Sequence, residues 1–370
     1  MNRWIKARRR SAAALLTLAG MALAGCASGP VATVGDPKHR PGILVSVGDD
    51  CNTPDGVRLD PRTGSIIVAC PNFNDKQHVG KLMKITKGNK WEFFSDFPKH
   101  PDTGYACPMG MDFGPDGHLY VADNQYFYDK DHKSRLIRIK CDKDGKALGS
   151  EVVVEGFKLA NAVMWKGDAV FVTDTFFDLA DKPGASGAYR ITLDEMNKGI
   201  VKLARKGQPD PHLILECRTD PVNAPHRKGE LAGADGCTFD KDGNFYTGNF
   251  GDGTMYKVAF NADGTVKSKG VFVRSPKLTC VDGIFYDAKR NRIYVADSER
   301  NAIQVVEMDG KVWTLWENGD TDGADGLLDQ PCEPALRGDE LIVVNFDMPF
   351  PGLKNTKFDK PYTICVIKLD

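Results

Sequence analysis

Six residues at recurring places in the chain carry the types of side chain that do chemistry: Asp55, Met109, Asn161, Asp235, Asp282 and Glu333. Each heads a short strand-like stretch, such as Asp235-Gly236-Cys237-Thr238-Phe239-Asp240 or Asp282-Gly283-Ile284-Phe285-Tyr286-Asp287. Five of the six offer oxygen donors, and four of those are acids. If the six stretches line one channel, the four carboxylates crowd a narrow mouth, where they repel one another and lose hydration. A bound hard cation removes both difficulties, and an all-oxygen set that mixes amide with carboxylate suits Ca²⁺, or another divalent cation, better than zinc. The plainer alternative is that each acid begins a strand and stays hydrated in a wide mouth.

The elements that would position these residues repeat with a period near fifty residues. Each unit shows a polar residue, an apolar strand, an Asp/Gly turn and a second apolar-aromatic strand, a pattern that marks a propeller. The first unit supplies strands at 56–60, 65–70, 81–86 and 90–96, and the fifth at 283–287, 292–296, 302–308 and 312–317. The sixth supplies three, ending with 362–369. The missing outer strand is expected at 42–47, so the fold class is all-β, a six-bladed β-propeller closed by an N-terminal strand that leaves no long open edge. No long amphipathic helix is legible. Asp116-Gly117, Asp144-Gly145, Asp242-Gly243, Asp263-Gly264 and Asp309-Gly310 read as hairpin turns rather than ligands.

The segments Leu159–Trp165, Ala234–Asp240 and Cys332–Leu336 resemble the senescence marker protein/gluconolactonase family of six-bladed calcium-dependent lactonases. The resemblance covers 42–370 and implies that Glu333, Asn161 and Asp235 hold the metal, with Asp235 also the catalytic carboxylate. The chain departs from the pattern at Met109, where the family often carries a substrate-contacting Asn. A thioether cannot replace an amide toward a sugar hydroxyl, so a less polar substrate is expected. Asp282 is an additional acid, either a further ligand or the general base. Met109, Asp55 and His100, which precedes the second unit, are the candidates for contact with a small-molecule substrate. The expected function is metal-dependent hydrolysis of a lactone or ester. The alternative is a non-catalytic propeller in which a structural calcium supports binding of a ligand or protein partner.

Composition sets the frame. With 370 residues, 27% charged and a formal net charge of −1, the chain is neither a disordered polymer nor a nucleic-acid binder. Residues 1–10 carry five cations and no acid, an apolar run follows, and Leu23-Ala24-Gly25-Cys26 closes it. This reads as a lipoprotein signal over 1–25, with a lipid on Cys26 and a tether over 26–41 before the propeller at 42–370. The protein is then expected to be exported and held on a bacterial membrane, the outer one facing the periplasm, where disulfides are permitted. Cys51, Cys70, Cys107, Cys280 and Cys332 gather near the leading positions, and disulfides pinning those loops are expected. Oligomeric state is not legible.

Overall fold

The computed structural model describes residues 33–74, 77–177, 184–204, 208–224, 231–348, 350, 352–358 and 360–370. The signal segment and Cys26 lie outside the described residues. Among those described, no helix is long and apolar enough to cross a membrane.

The chain folds into six antiparallel blades around one axis, a six-bladed β-propeller. Blade 1 consists of Val57–Leu59, Ile66–Cys70, Lys81–Ile85 and Trp91–Asp96. The innermost strands of blades 2 to 6 are Pro108–Phe113, Ala160–Lys166, Ala234–Phe239, Ile284–Asp287 and Pro331–Arg337. Blade 6 has three strands from the C-terminal end of the chain and takes its outer strand, Gly42–Ser46, from the beginning, pairing Gly42 with Val366 and Ser46 with Thr363. Joining the two ends in one sheet closes the ring, because the blade would otherwise offer an unpaired edge. The segment expected as a tether is docked from Val34 onward. Val34–Gly35 adds a fifth strand to blade 5 opposite Glu317 and Trp316, and His39 Nδ1 lies 2.7 Å from the carbonyl oxygen of Lys368.

Blade 3 explains the longest interval between leading residues. After its third strand, Ala185–Thr192, the chain makes the helix Leu193–Lys198, capped by Thr192 and Glu195 in a reciprocal capping box. It then lends Val201–Lys202 to blade 2, parallel to Val154–Glu155, before returning as Leu213–Arg218.

Two local devices recur. Gly117, Gly145, Gly243, Gly264 and Gly310, the glycines of the Asp-Gly pairs read as hairpin turns, have φ between 78° and 87°, the left-handed backbone that a tight hairpin needs. Inside blades 2, 4 and 5, the fully buried rings of Tyr120, Tyr246 and Tyr294 occupy matching places on the second strand. Each hydroxyl donates to a turn aspartate, Asp116 at 2.8 Å, Asp240 at 2.9 Å and Asp287 at 3.4 Å. The ring fills the space between blades while its polar tip keeps a partner.

Candidate active site at the channel mouth

The mouth is built from the start of each innermost strand. Asp55 N donates to Ala69 O at 2.9 Å and Asp282 N to Ala296 O at 3.1 Å, so a leading residue faces the last turn of the second strand of its own blade. Neighbouring blades touch at every joint of the ring. Gly236 N donates to Asp282 O at 3.1 Å, and Gly283 N to Cys332 O at 2.6 Å. Both glycines are required by this approach: a Cβ would stand 2.3 Å from Asp282 O at position 236, and 2.5 Å from Cys332 O at position 283. Gly56 lies as closely on Met109, and Gly110 on Asn161. Asn161 Nδ2 donates to Asp235 Oδ1 at 2.8 Å, and Cys332 Sγ to Pro54 O at 3.4 Å, completing the circle from blade 3 to 4 and from blade 6 to 1.

The structure thus brings Asp55, Met109, Asn161, Asp235, Asp282 and Glu333 to one ring. Asp55, Met109 and Asp235 are buried, while Asn161, Asp282 and Glu333 are partly accessible. Burial, followed by the charge of Asp235, raises the Asp55 carboxyl to about 8. Burial also raises Glu333 to about 8; Arg58 opposes this, and Asp55 and Asp112 add to it. Asp282 is pushed well above the carboxylate range by burial and then by Asp235, Asp55 and Glu333, with a hydrogen bond from Ser298 acting the other way. The acids therefore sense one another, and their burden is an excess of buried negative charge.

His100 is placed elsewhere. Its Nδ1 accepts the Asp102 N–H at 3.1 Å, and it lines a cavity with His132, Arg135 and Glu155 beside the outer strands of blade 2, away from the innermost strands that form the mouth. Its approach to the mouth, expected from its place before blade 2, fails because the 97–107 segment starts from the outer strand of blade 1 and holds His100 near that rim.

The sequence reading overlooked a buried ion pair inside the channel. Arg58 Nε lies 3.3 Å from Asp112 Oδ1 and donates to Met111 O at 3.0 Å, while Asp112 Oδ2 accepts the Trp165 N–H at 2.7 Å. Arg58 is the cation that counts most at Glu333. The available signal was a charged residue at 58 and another at 112 within otherwise apolar innermost strands.

The loops that follow the second strands form a second tier, also overlooked. These strands return to the same rim, and aromatic residues emerge within a few positions of their ends. Phe73 makes edge contacts with Phe127 (ring centroids 4.9 Å apart) and Phe346 (6.2 Å). Tyr126 stacks on Phe176 at 4.5 Å, and Phe350 stacks on Phe346 at 6.1 Å.

The strand ends themselves act as clamps. Asp123 Oδ1 accepts Cys107 N at 3.2 Å, Asp174 Oδ1 accepts Leu159 N at 2.7 Å, Asp297 Oδ2 accepts Thr279 N at 3.0 Å and Asn345 Oδ1 accepts Asp329 N at 3.1 Å. Each carboxyl or amide thereby holds the loop that delivers a leading residue. In blade 1 the matching position is Cys70, and the clamp is covalent, the Cys51–Cys70 disulfide. The expectation of rim disulfides holds for this pair and is corrected for Cys107, Cys280 and Cys332, which are buried thiols outside any disulfide.

The donor set of the ring, four carboxylates and one amide with no nitrogen or sulfur ligand, fits a hard divalent cation. Burial first, and then neighbouring acids, raise the cost of ionising Asp55, Asp282 and Glu333, a cost that such a cation would offset. Among the described residues, no three His, Cys, Asp or Glu side chains converge tightly enough to form a finished cage.

No protein-family model matches the chain, and no curated protein does. Solved structures do resemble it. A gluconolactonase from Xanthomonas campestris is 13% identical, with 92% of this chain and 98% of that one covered and a TM-score of 0.53. A calcium-binding protein, regucalcin, from Agrobacterium tumefaciens is 14% identical over 89% and 95%, TM-score 0.53. The PQQ-bound aldose sugar dehydrogenase from Streptomyces coelicolor is 13% identical over 92% and 99%, TM-score 0.54. At these identities the likeness establishes the propeller fold, and it spans proteins with different chemistries.

Proposed function

We propose that the protein is a metal-dependent hydrolase of a lactone or ester, working at the channel mouth. The observation that carries this reading is the placement of Asp55, Asp235, Asp282, Glu333 and Asn161 at equivalent strand heads around one ring. The gluconolactonase and the calcium-binding regucalcin with the same fold support it, as does the resemblance of the segments around Asn161, Asp235 and Glu333 to that family.

Glu333, Asn161 and Asp235 would hold the cation, with Asp282 beside it. A divalent cation there supplies Lewis-acid stabilisation of the carbonyl oxygen as it becomes an oxyanion. The remaining work falls to the chain. A carboxylate, Asp282 or Asp235, takes a proton from water as the water oxygen bonds to the acyl carbon. The acyl carbon–oxygen bond then breaks, and the same proton passes to the leaving alkoxide, giving acid and alcohol. Ligation of Asp235 would lower its basicity, which favours Asp282 as base. The polypeptide would reach its substrate outside the cytoplasm, attached by the lipid on Cys26.

The test is a panel of lactones, aryl esters and phosphotriesters assayed before and after EDTA treatment. Hydrolysis that EDTA abolishes and Ca²⁺ restores supports the reading. Hydrolysis indifferent to EDTA contradicts the metal's role, and calcium binding without any turnover leaves the non-catalytic binding platform.

A further inference from the structure

Resting on the hydrolase reading, we infer that the substrate is an apolar, aryl-bearing lactone or ester rather than a polyhydroxylated sugar lactone. The ring of leading residues is uneven. Blades 1, 3, 4, 5 and 6 contribute the polar groups of Asp55, Asn161, Asp235, Asp282 and Glu333. Blade 2 contributes Met109 instead of a polar residue, and its thioether offers no hydrogen-bond donor and only a weak acceptor.

Above Met109 the wall is aromatic. Phe73 packs on the core cluster that contains Met109 and also on the cluster that contains Phe346. Phe127 leans edge-on against Phe73 with 42% of its surface exposed. The next blade continues the wall, since Tyr126 lies 6.0 Å from Phe127 and stacks on Phe176. Aromatic residues thus come from blades 1, 2, 3 and 6 to the tier at the rim, and Phe250 of blade 4 approaches Phe350 at 6.2 Å.

The amides beside Phe73 are occupied within the loops. Asn72 Nδ2 donates to Asp50 O and Val79 O, and its Oδ1 accepts Asn52 N at 2.9 Å. Asn74 Nδ2 donates to Asp347 O at 2.8 Å. A sugar ring laid against Met109 and these aromatic rings would bring several hydroxyls against a thioether and ring faces, losing hydration without matching partners there. A flat apolar ring gains there instead.

The test compares kcat/KM for dihydrocoumarin, an aryl lactone, with that for glucono-δ-lactone, in the wild type and in Phe127→Ser. Phe127 is exposed, so this variant leaves the core intact, which Met109→Asn does not guarantee. The wild type should favour the aryl lactone by about tenfold or more. Phe127→Ser should lose about threefold to tenfold on the aryl lactone, through KM, and leave the sugar lactone unchanged. Equal or better turnover of glucono-δ-lactone overturns the inference, as does an unchanged KM in Phe127→Ser. If neither lactone is hydrolysed, the hydrolase reading fails, and calorimetry with the two unreactive lactams decides. Tighter binding of the aryl lactam to wild type than to Phe127→Ser upholds an aryl-selective mouth, whereas equal or absent binding overturns it.

Discussion

Asn161 Nδ2 donates a 2.8 Å hydrogen bond to Asp235 Oδ1, joining side chains 74 residues apart at the heads of the innermost strands of blades 3 and 4. The amide orients one carboxylate of the ring. The nearest buried guanidinium, Arg58, is engaged by Asp112. This arrangement leaves the roles of the individual acids open to separation by substitution.

Asp282→Asn separates ligand from base. The amide keeps the shape, and Ser298 can still reach it. If Asp282 is the base, turnover should fall by about 10²–10⁴ with calcium affinity retained. If it is a ligand, calorimetry should show affinity falling too. No change in either quantity would reduce Asp282 to a strand-start residue.

The Cys51–Cys70 disulfide closes a separation of 19 residues and stands where other blades use a side-chain clamp. Replacing both cysteines by serine should cost about 2–4 kcal/mol in denaturant unfolding, mainly by freeing the unfolded chain. It should also loosen the loop carrying Asp55. An unchanged unfolding midpoint would show that the rim holds without this link.

Asp297 supplies a pH test outside the ring. Burial raises its carboxyl to about 7, against a model-peptide value of 3.8, although the Thr279 N–H and hydroxyl bonds favour the charged form. The folded state therefore keeps a proton that the unfolded state has released. From this group, stability is highest below pH 3.8, declines by about 1.4 kcal/mol per unit between the two values, and carries its full penalty above 7. Asp297→Asn copies what Asn345 and Asn249 already are at the same strand end. It should flatten that slope in urea titrations between pH 5 and 7, and identical slopes would contradict the assignment.

Cys26→Ser should release the protein from membranes or arrest its processing, as read by fractionation. A variant that fractionates like the wild type would remove the anchor.

The propeller was legible because its units are local. The repeat near fifty residues, the Asp-Gly turns and the leading Asp, Asn and Glu positions each sit within a few residues of one another, and the missing strand of the last unit could be matched to 42–47. Arg58 and Asp112 were not legible, since they belong to different blades and pair only when the inner strands meet. The aromatic tier was harder to see: Phe73 and Tyr126 each stand three residues past their strand ends, but Phe176 and Phe346 stand two and one past theirs, so no fixed spacing announces them. The edges that His100 and Val34 join were not legible, because sequence position specifies which elements a residue lies between and tertiary pairing decides which edge it joins. Cys107, Cys280 and Cys332 cluster in sequence register with the rim, yet burial in separate blades keeps them apart.

The proposed function requires one divalent cation held by Glu333, Asn161 and Asp235. Its most direct test is calorimetric titration of Ca²⁺ into chelator-treated wild type and Glu333→Gln, with circular dichroism confirming that both are folded. One cation per chain should bind the wild type, with affinity at least about tenfold weaker in Glu333→Gln. No binding to the wild type, or equal binding to both proteins, would contradict the account.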